Sequence, residues 1–395
     1  MKDSRMNTYN RLPVDLVKGQ GARVWDTEGR EYLDALAGIA VCSLGHAHPE
    51  VAEALCEQAR TLVHCTNLYD IPVQRQLADK LCALSGMDNV FFGNSGAEAN
   101  EAAIKIARLY GHQNGIDDPV IVVTEGAFHG RTLATLTATG NRKVQAGFEP
   151  LVHGFVRAAY DNLEAIGTIA DNTPNVVAVL VEPVQGEGGV NIPDPGYLNG
   201  LRELCDRHGW LLMLDEIQTG MCRTGKWFAY QHNAIMPDIV TLAKSLGNGM
   251  PISACLAHGK AAQVFQPGNH GSTYGGNPLA CRTALKVVEL MERDRIAERA
   301  AELGEKMLAD FVRLLANTPG ITEIRGKGMM IGIELQQDCG ALVGAALQRG
   351  LLINVTAGNT IRLLPPLILS DDEAKTITSG VCELIQQFVD KTDTA

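Results

Sequence analysis

The chain has 395 residues, 46% hydrophobic and 20% charged, enough for a sizeable core and too apolar for global disorder. Its 34 Lys and Arg stand against 45 Asp and Glu, a formal charge of -11 with no compensating basic run, which argues against a nucleic-acid binder. Ten cysteines stand singly with no CxxC pair, which argues against a zinc ribbon and fits a reduced, cytoplasmic setting; no stretch approaches the roughly 20 apolar residues of a membrane span.

In chain order, residues 1–35 read as an entry arm, and the polar first ten residues show no secretory leader. Short strands at 23–25 and 31–33 are joined by the turn Asp26-Thr27-Glu28-Gly29. Residues 49–64 have helical spacing, with Val51, Leu55, Ala59 and Leu62 on one face. His46 and His48 precede that helix; without a third ligand nearby they read as loop residues rather than metal ligands.

The pattern then alternates. Strands are predicted at 89–92, 120–123, 176–181, 210–214, 239–242 and 253–256, with helices at 98–110 and 197–208. VVAVLV and WLLML are continuously apolar, as strands buried on both faces are. Such alternation predicts an α/β fold with a mainly parallel sheet flanked by helices. Ligands in such sheets bind beyond the carboxyl ends of the strands. Past residue 278 come helices at 278–293 and 296–316, then strands at 321–325, 329–335, 351–354 and 360–364, then a helix from 371 to about 390. The expected division is an N-terminal arm, 1–50, contributing to a small domain; a large domain, 51–280; and a C-terminal small domain, 281–395.

Several stretches carry candidate chemistry. IVTLAKSLGNG, residues 239–249, ends a buried strand on Lys244 and continues in small residues. Desolvation there would lower the lysine pKa and let a neutral amine attack a carbonyl, unless Lys244 is simply solvated. In GNSGAEANEAAIKIARLY, Ser95 and Glu98 have capping-box spacing after a strand. The helix N-terminus, with Gly96 and Ala97, suits a phosphate, or is an ordinary capped helix.

WLLMLDEIQTGMCRTG places Asp215 and Glu216 at the end of an apolar strand. A carboxylate there needs a cation or strong donor, such as a protonated ring nitrogen. A metal reading lacks histidine or further carboxylate support. In EGAFHGRTLATLTATG, Phe128 is placed to stack on a planar ring and Arg131 to clamp a carboxylate, or to lie on the surface. VEPVQGEGGV ends a buried strand on Glu182, HGSTYGGNPLA offers hydroxyls to an anion, and IRLLPPL sets Arg362 in an apolar strand. A buried arginine wants a carboxylate, and Glu182 is one candidate. No G-x-G-x-x-G follows the early strands, which disfavours a Rossmann dehydrogenase.

In order, SGAEAN, AFHGRT, EPVQGEGG, LDEIQTGMCRTG, LAKSLGNG, GSTYGGNP and IRLLPP resemble the class III, fold-type-I aminotransferases that use pyridoxal 5'-phosphate. The likeness covers essentially the whole chain. It implies that Lys244 forms the Schiff base with the cofactor and then serves as the amine base. It further implies Asp215 at the pyridine nitrogen, Gln218 at the ring 3'-oxygen, Phe128 on the ring face, and Ser95, Gly96 and Ala97 at the phosphate. Thr273 would reach that phosphate from the neighbouring subunit, which implies a homodimer with shared sites. Arg131, with Ser272 close by, would clamp the donor's α-carboxylate. Arg362 would take 2-oxoglutarate, and Glu182 would mask Arg362 while the donor is bound.

The reaction so implied moves the terminal amine of N2-acetylornithine to 2-oxoglutarate. Succinylornithine, succinyl-diaminopimelate, ornithine or another ω-amino acid are alternative donors on the same scaffold. An aminomutase of the same fold would need no external keto acid, and a silent scaffold would be expected to lose Lys244 or Asp215, both present. Ser245 and Asn248 depart from the glycine-rich pattern expected after the lysine.

Overall fold

A computed structural model describes residues 4–392; residues 1–3 of the expected arm and 393–395 of the expected C-terminal unit lie outside the described residues. Three short strands open the chain: β1 (Leu16–Gln20), β2 (Arg23–Asp26) and β3 (Glu31–Asp34), an antiparallel meander. Asp26 makes the expected turn between the last two. Its Oδ1 accepts from the N–H groups of Glu28 and Arg30, both at 2.9 Å. His46 is held by Asp34 (Nε2 to Oδ2, 2.8 Å), and that pairing raises its pKa to about 10.

The centre is a sheet of seven strands: β4 (Asn89–Gly93), β5 (Val120–Thr124), β6 (Phe155–Ala158), β7 (Val176–Val181), β8 (Leu211–Asp215), β9 (Ile239–Leu242) and β10 (Ser253–Ala257). Their order is β4-β10-β9-β8-β7-β5-β6. Neighbours run parallel except β10, which is antiparallel to both β4 and β9. Every residue of β7, β8, β9 and β10 is buried. Alternate side chains of β8 fill two cores, Leu212 and Leu214 on one face, Leu211 and Met213 on the other. Each such side chain contributes roughly 1.5–3 kcal/mol by leaving water.

Helix Gly96–Gln113 covers the second of those faces with Ala102, Ala103, Ile106 and Ala107. Its start is the expected capping box: Ser95 Oγ accepts from Glu98 N–H (3.3 Å), and Glu98 Oε2 accepts from Ser95 N–H (3.0 Å). Beyond the sheet, helix Pro278–Arg293 packs on helices Pro49–Thr61 and Pro72–Ser85. Helix Ile296–Leu315 packs on helix Asp371–Thr392.

The last strands are β11 (Ile321–Lys327), β12 (Met330–Leu335), β13 (Leu351–Leu352), β14 (Asn354–Thr356) and β15 (Thr360–Leu363). Four of them form a sheet in the order β11-β12-β15-β14, while β13 leaves it to pair with β3. The single strand expected over 351–354 is therefore two short strands in different sheets. Among the described residues, no helix is long and apolar enough to cross a membrane.

Candidate active site

The face of β8 that carries Leu211 and Met213 also carries the next residue in that alternation, Asp215. The helix Gly96–Gln113 lies on this face, so Asn100 in its first turns reaches the carboxylate. Asn100 Nδ2 donates to Asp215 Oδ2 (2.8 Å), and His129 Nδ1 donates to the same oxygen (2.8 Å). Thr241 Oγ1 on β9 fixes the other end of the Asn100 amide (2.8 Å). Asp215 Oδ1 accepts only the Ile217 N–H (3.1 Å) among the described residues, which leaves it lone-pair capacity toward the cavity. With Nδ1 committed as donor, His129 Nε2 is a buried atom without a hydrogen-bond partner. Glu216 turns the other way, accepting from Ala229 N–H, Tyr230 N–H and the Thr219 hydroxyl; burial pushes its pKa up to about 7.

Asp215 opens onto a cavity of about 390 Å³ whose walls include Ser95, Gly96, Ala97, Phe128, Arg131, Glu182, Gln218 and Lys244. Ser95 presents the start of a helix, where free N–H groups and the macrodipole favour an anion. At Gly96 a Cβ would come within 2.7 Å of Ile217 Cδ1, so a larger residue there would have to push the Ile217 side chain aside. Arg131 Cζ lies 5.7 Å from the centre of the Phe128 ring. Lys244 leaves β9 with φ +45, in the left-handed region. It is only partly covered, yet the cavity walls strip water from its amine and lower its pKa to about 8. Roughly one amine in ten is then neutral at pH 7, against roughly one in three thousand at the ordinary value. These donors suit a planar ring with an anionic tail, a basic ring nitrogen facing Asp215 and a carbonyl within reach of Lys244.

Two expectations need correction. Glu182 does not mask Arg362. It is buried at the end of β7, where its oxygens accept from Phe128 N–H (3.0 Å) and Gly186 N–H (3.2 Å). Burial raises its pKa to about 7. The carboxylate on Arg362 is Glu187, five residues on, at 2.6 Å. Arg362 is 1% exposed and also donates to Asn354 Oδ1 (3.1 and 2.7 Å) and to Gln218 Oε1 (3.3 Å). Ser272, in turn, does not line the cavity beside Arg131; it and Thr273, which was expected to serve a neighbouring subunit, lie outside the cavity of their own chain. They line a separate cleft with Asn94, Glu98 and His270, where Ser272 Oγ accepts from Asn94 Nδ2 (3.3 Å).

Three polar residues that sequence reasoning left without a role join the site: Asn100, His129 and Glu187. The signal for His129 was its place beside Phe128, and for Glu187 the second acid of EPVQGEGG. Nothing in the sequence singled out Asn354.

A model of the family described as aminotransferase class-III matches residues 5–385. The acetylornithine aminotransferase of Nitrosomonas europaea is 58% identical over 98% of each chain. Among solved structures, the ornithine aminotransferase of Toxoplasma gondii, crystallized with oxidized glutathione and holding PLP at partial occupancy in its active site, superposes with a TM-score of 0.94. It is 37% identical, over 99% of this chain and 94% of that one. The acetylornithine aminotransferase of Elizabethkingia anophelis gives a TM-score of 0.86 at 36% identity, over 96% of both chains. The helix start at Ser95, the Oδ1 of Asp215 and the Lys244 amine on one cavity fit a planar ring with an anionic tail, and this chain belongs to the class-III aminotransferases, with pyridoxal 5'-phosphate as its cofactor.

Proposed function

We propose that the chain moves the terminal amine of N2-acetylornithine to 2-oxoglutarate, giving N-acetylglutamate 5-semialdehyde and glutamate, in arginine biosynthesis in the cytoplasm. The observation that carries the donor is the 58% identity, over nearly the whole of both chains, to the Nitrosomonas acetylornithine aminotransferase. When bound, pyridoxal 5'-phosphate supplies an electron sink for the substrate's reacting carbon.

The chain's own residues do the rest. The start of helix Gly96–Gln113, at Ser95, Gly96 and Ala97, holds the phosphate. Phe128 would flank the ring, and Gln218 would serve its 3'-oxygen. Asp215, oriented by His129 and Asn100, would keep the ring nitrogen protonated. Lys244 would supply the amine that anchors the cofactor and the base that moves a proton at the substrate's amine-bearing carbon. Arg131 takes the donor's α-carboxylate at the cavity wall.

Glu187 and Arg362 let one cavity serve two substrates of different charge. With the donor bound, Glu187 neutralises Arg362; with 2-oxoglutarate, the substrate's own carboxylate takes its place. Glu187→Gln is expected to lower the KM for 2-oxoglutarate and raise that for the donor. A charge-assisted hydrogen bond of roughly 1.5–3 kcal/mol sets the change in the ratio of the two KM values at about ten- to a hundredfold. Steady-state kinetics in both substrates check this, and an unchanged ratio would remove Glu187 from the role.

A homodimer with shared sites belongs to the same reading. Thr273 is exposed and lies outside its own chain's cavity, so it is available to a neighbour's phosphate. Around it, Leu68, Tyr69 and Tyr274 expose apolar surface, joined by Asn67 Nδ2 donating to Gly275 O (2.9 Å).

Free ornithine as donor is a second reading, favoured by the close backbone match to the Toxoplasma enzyme. Initial rates with acetylornithine, succinylornithine and ornithine, each against 2-oxoglutarate, decide between them through the kcat/KM ratio. Acetylornithine is expected to lead by about tenfold or more. If ornithine leads, the donor assignment falls while the Lys244 chemistry stands.

A further inference from the structure

Ser245 and Asn248, the two departures from the glycine-rich pattern, both reach back to residues 40–45. Ser245 Oγ donates to Ala40 O (2.8 Å). Asn248 Oδ1 accepts from Leu44 N–H (2.8 Å), and its Nδ2 donates to Gly45 O (3.1 Å). That segment ends a turn in which Ala37, Gly38, Ile39 and Ala40 all have positive φ, as Lys244 does. Non-glycine residues hold such backbone only where their surroundings over-determine it.

On the other side of the segment stands Arg223, fully buried and without a carboxylate partner among the described residues. Its Nη1 donates to Met329 O (3.1 Å) and Pro365 O (2.6 Å), carbonyls that flank β12 and β15. Its Nη2 donates to Ser43 Oγ (3.0 Å), which lies 2.6 Å from Ser245 Oγ. Ser245 commits its one proton to Ala40 O, so Ser43 is the donor in the serine pair. The relay therefore has a single polarity: guanidinium to Ser43, Ser43 to Ser245, Ser245 to the Ala40 carbonyl. Both serines are buried, and hydrogen bonds in such a chain strengthen one another. Burial lowers the Arg223 pKa to about 9, which leaves it a cation at neutral pH.

We propose that Arg223 is a positioning residue for Lys244, acting through the Ser43–Ser245 relay, and that the relay ties the setting of the reacting amine to the seating of the C-terminal strands. A planar guanidinium can serve two carbonyls on one side and a hydroxyl on the other, which a lysine head cannot. β15 also carries Arg362, so a shift of that strand on substrate exchange is felt at the lysine loop.

Ser43→Ala removes one buried oxygen and leaves the grip of Arg223 on Met329 and Pro365 intact. Ser245→Ala cuts the relay from the other side. In the holoenzyme each is expected to lower kcat about tenfold while both KM values stay within about twofold. Each is also expected to shift the pH midpoint of the bound cofactor's visible absorbance and to speed backbone hydrogen exchange at residues 243–249, with Tm lowered by only a few degrees. Ser43→Thr, which keeps the hydroxyl, restores wild-type values.

The inference rests on Lys244 as the reacting amine, whichever donor is used. Silent Ser43→Ala and Ser245→Ala enzymes beside an inert Lys244→Ala enzyme would overturn the relay alone. An active Lys244→Ala enzyme would defeat the reading of function itself. A rise in KM that accounts for the loss of rate, or failure of both serine variants to fold, also overturns the relay.

Discussion

Replacing Lys244 by alanine is expected to lower kcat by roughly 10²- to 10⁴-fold, the range spanned by a positioned proton-transfer group. The visible absorbance of covalently held cofactor should vanish with it. The argument starts from the site: among the residues lining the cavity, Lys244 offers the one amine, and desolvation brings its pKa to about 8. A neutral amine so placed both bonds a carbonyl and moves a proton, and alanine does neither. Small exogenous amines should restore part of the rate, because the space vacated by the lysine side chain opens onto the cavity. Single-turnover absorbance changes with each substrate check this. A Lys244→Ala enzyme turning over within about tenfold of wild type would end the assignment, since a lost proton-transfer group costs more than that.

Asp215→Asn is the second large effect. Asparagine keeps the shape but not the charge, so a ring nitrogen held at this position would lose the anion that favours its protonated form. It also sets an amide among the donors of Asn100, His129 and Ile217, where only an acceptor is satisfied. Truncating one member of a buried, hydrogen-bonded charge pair costs roughly 2–5 kcal/mol. At 1.36 kcal/mol per decade this is a loss of about 30- to 5000-fold in kcat. The loss should come with weaker cofactor retention on dialysis. Wild-type kcat together with wild-type retention would remove Asp215 from the ring nitrogen.

What could be read from the chain follows what each residue answers to. β7 and β9 were predicted to the residue, because six and four consecutive apolar or β-branched residues buried on both faces leave no other register. The start of helix Gly96–Gln113 was legible because a capping box is a local bond pattern. β6 (Phe155–Ala158) escaped because it is a sheet edge whose residues are mostly half-covered. Helices Pro72–Ser85, Leu163–Asn172 and Ala341–Gln348 were not predicted either. The split of residues 351–354 was hidden because an apolar run does not say which of two sheets receives it.

At the site, Glu182 and Glu187 are equivalent as charges. Only the fold shows that the first is closed off by backbone N–H groups and the second reaches Arg362. The partners of Asp215 come from 115 and 86 residues away, beyond any local pattern.

The antiparallel strand β10 has a bearing on how the protein is made. It sits between β4 and β9, and these two share no ladder of their own. The helix proposed to seat the phosphate starts just after β4, and Lys244 follows just after β9. During synthesis, the first of these leaves the ribosome about 150 residues before the second, at roughly 5–20 residues per second. β10 is the sheet neighbour of β4, so β4 stays outside the sheet until residues 253–257 emerge and slot between it and β9. Such non-local pairing is slow, because loop closure precedes its reward. A nascent chain stalled before Ser253 would therefore leave β4 and one edge of β9 unpaired, with no complete cofactor site. Its vulnerability to aggregation is set by the timing of one five-residue strand.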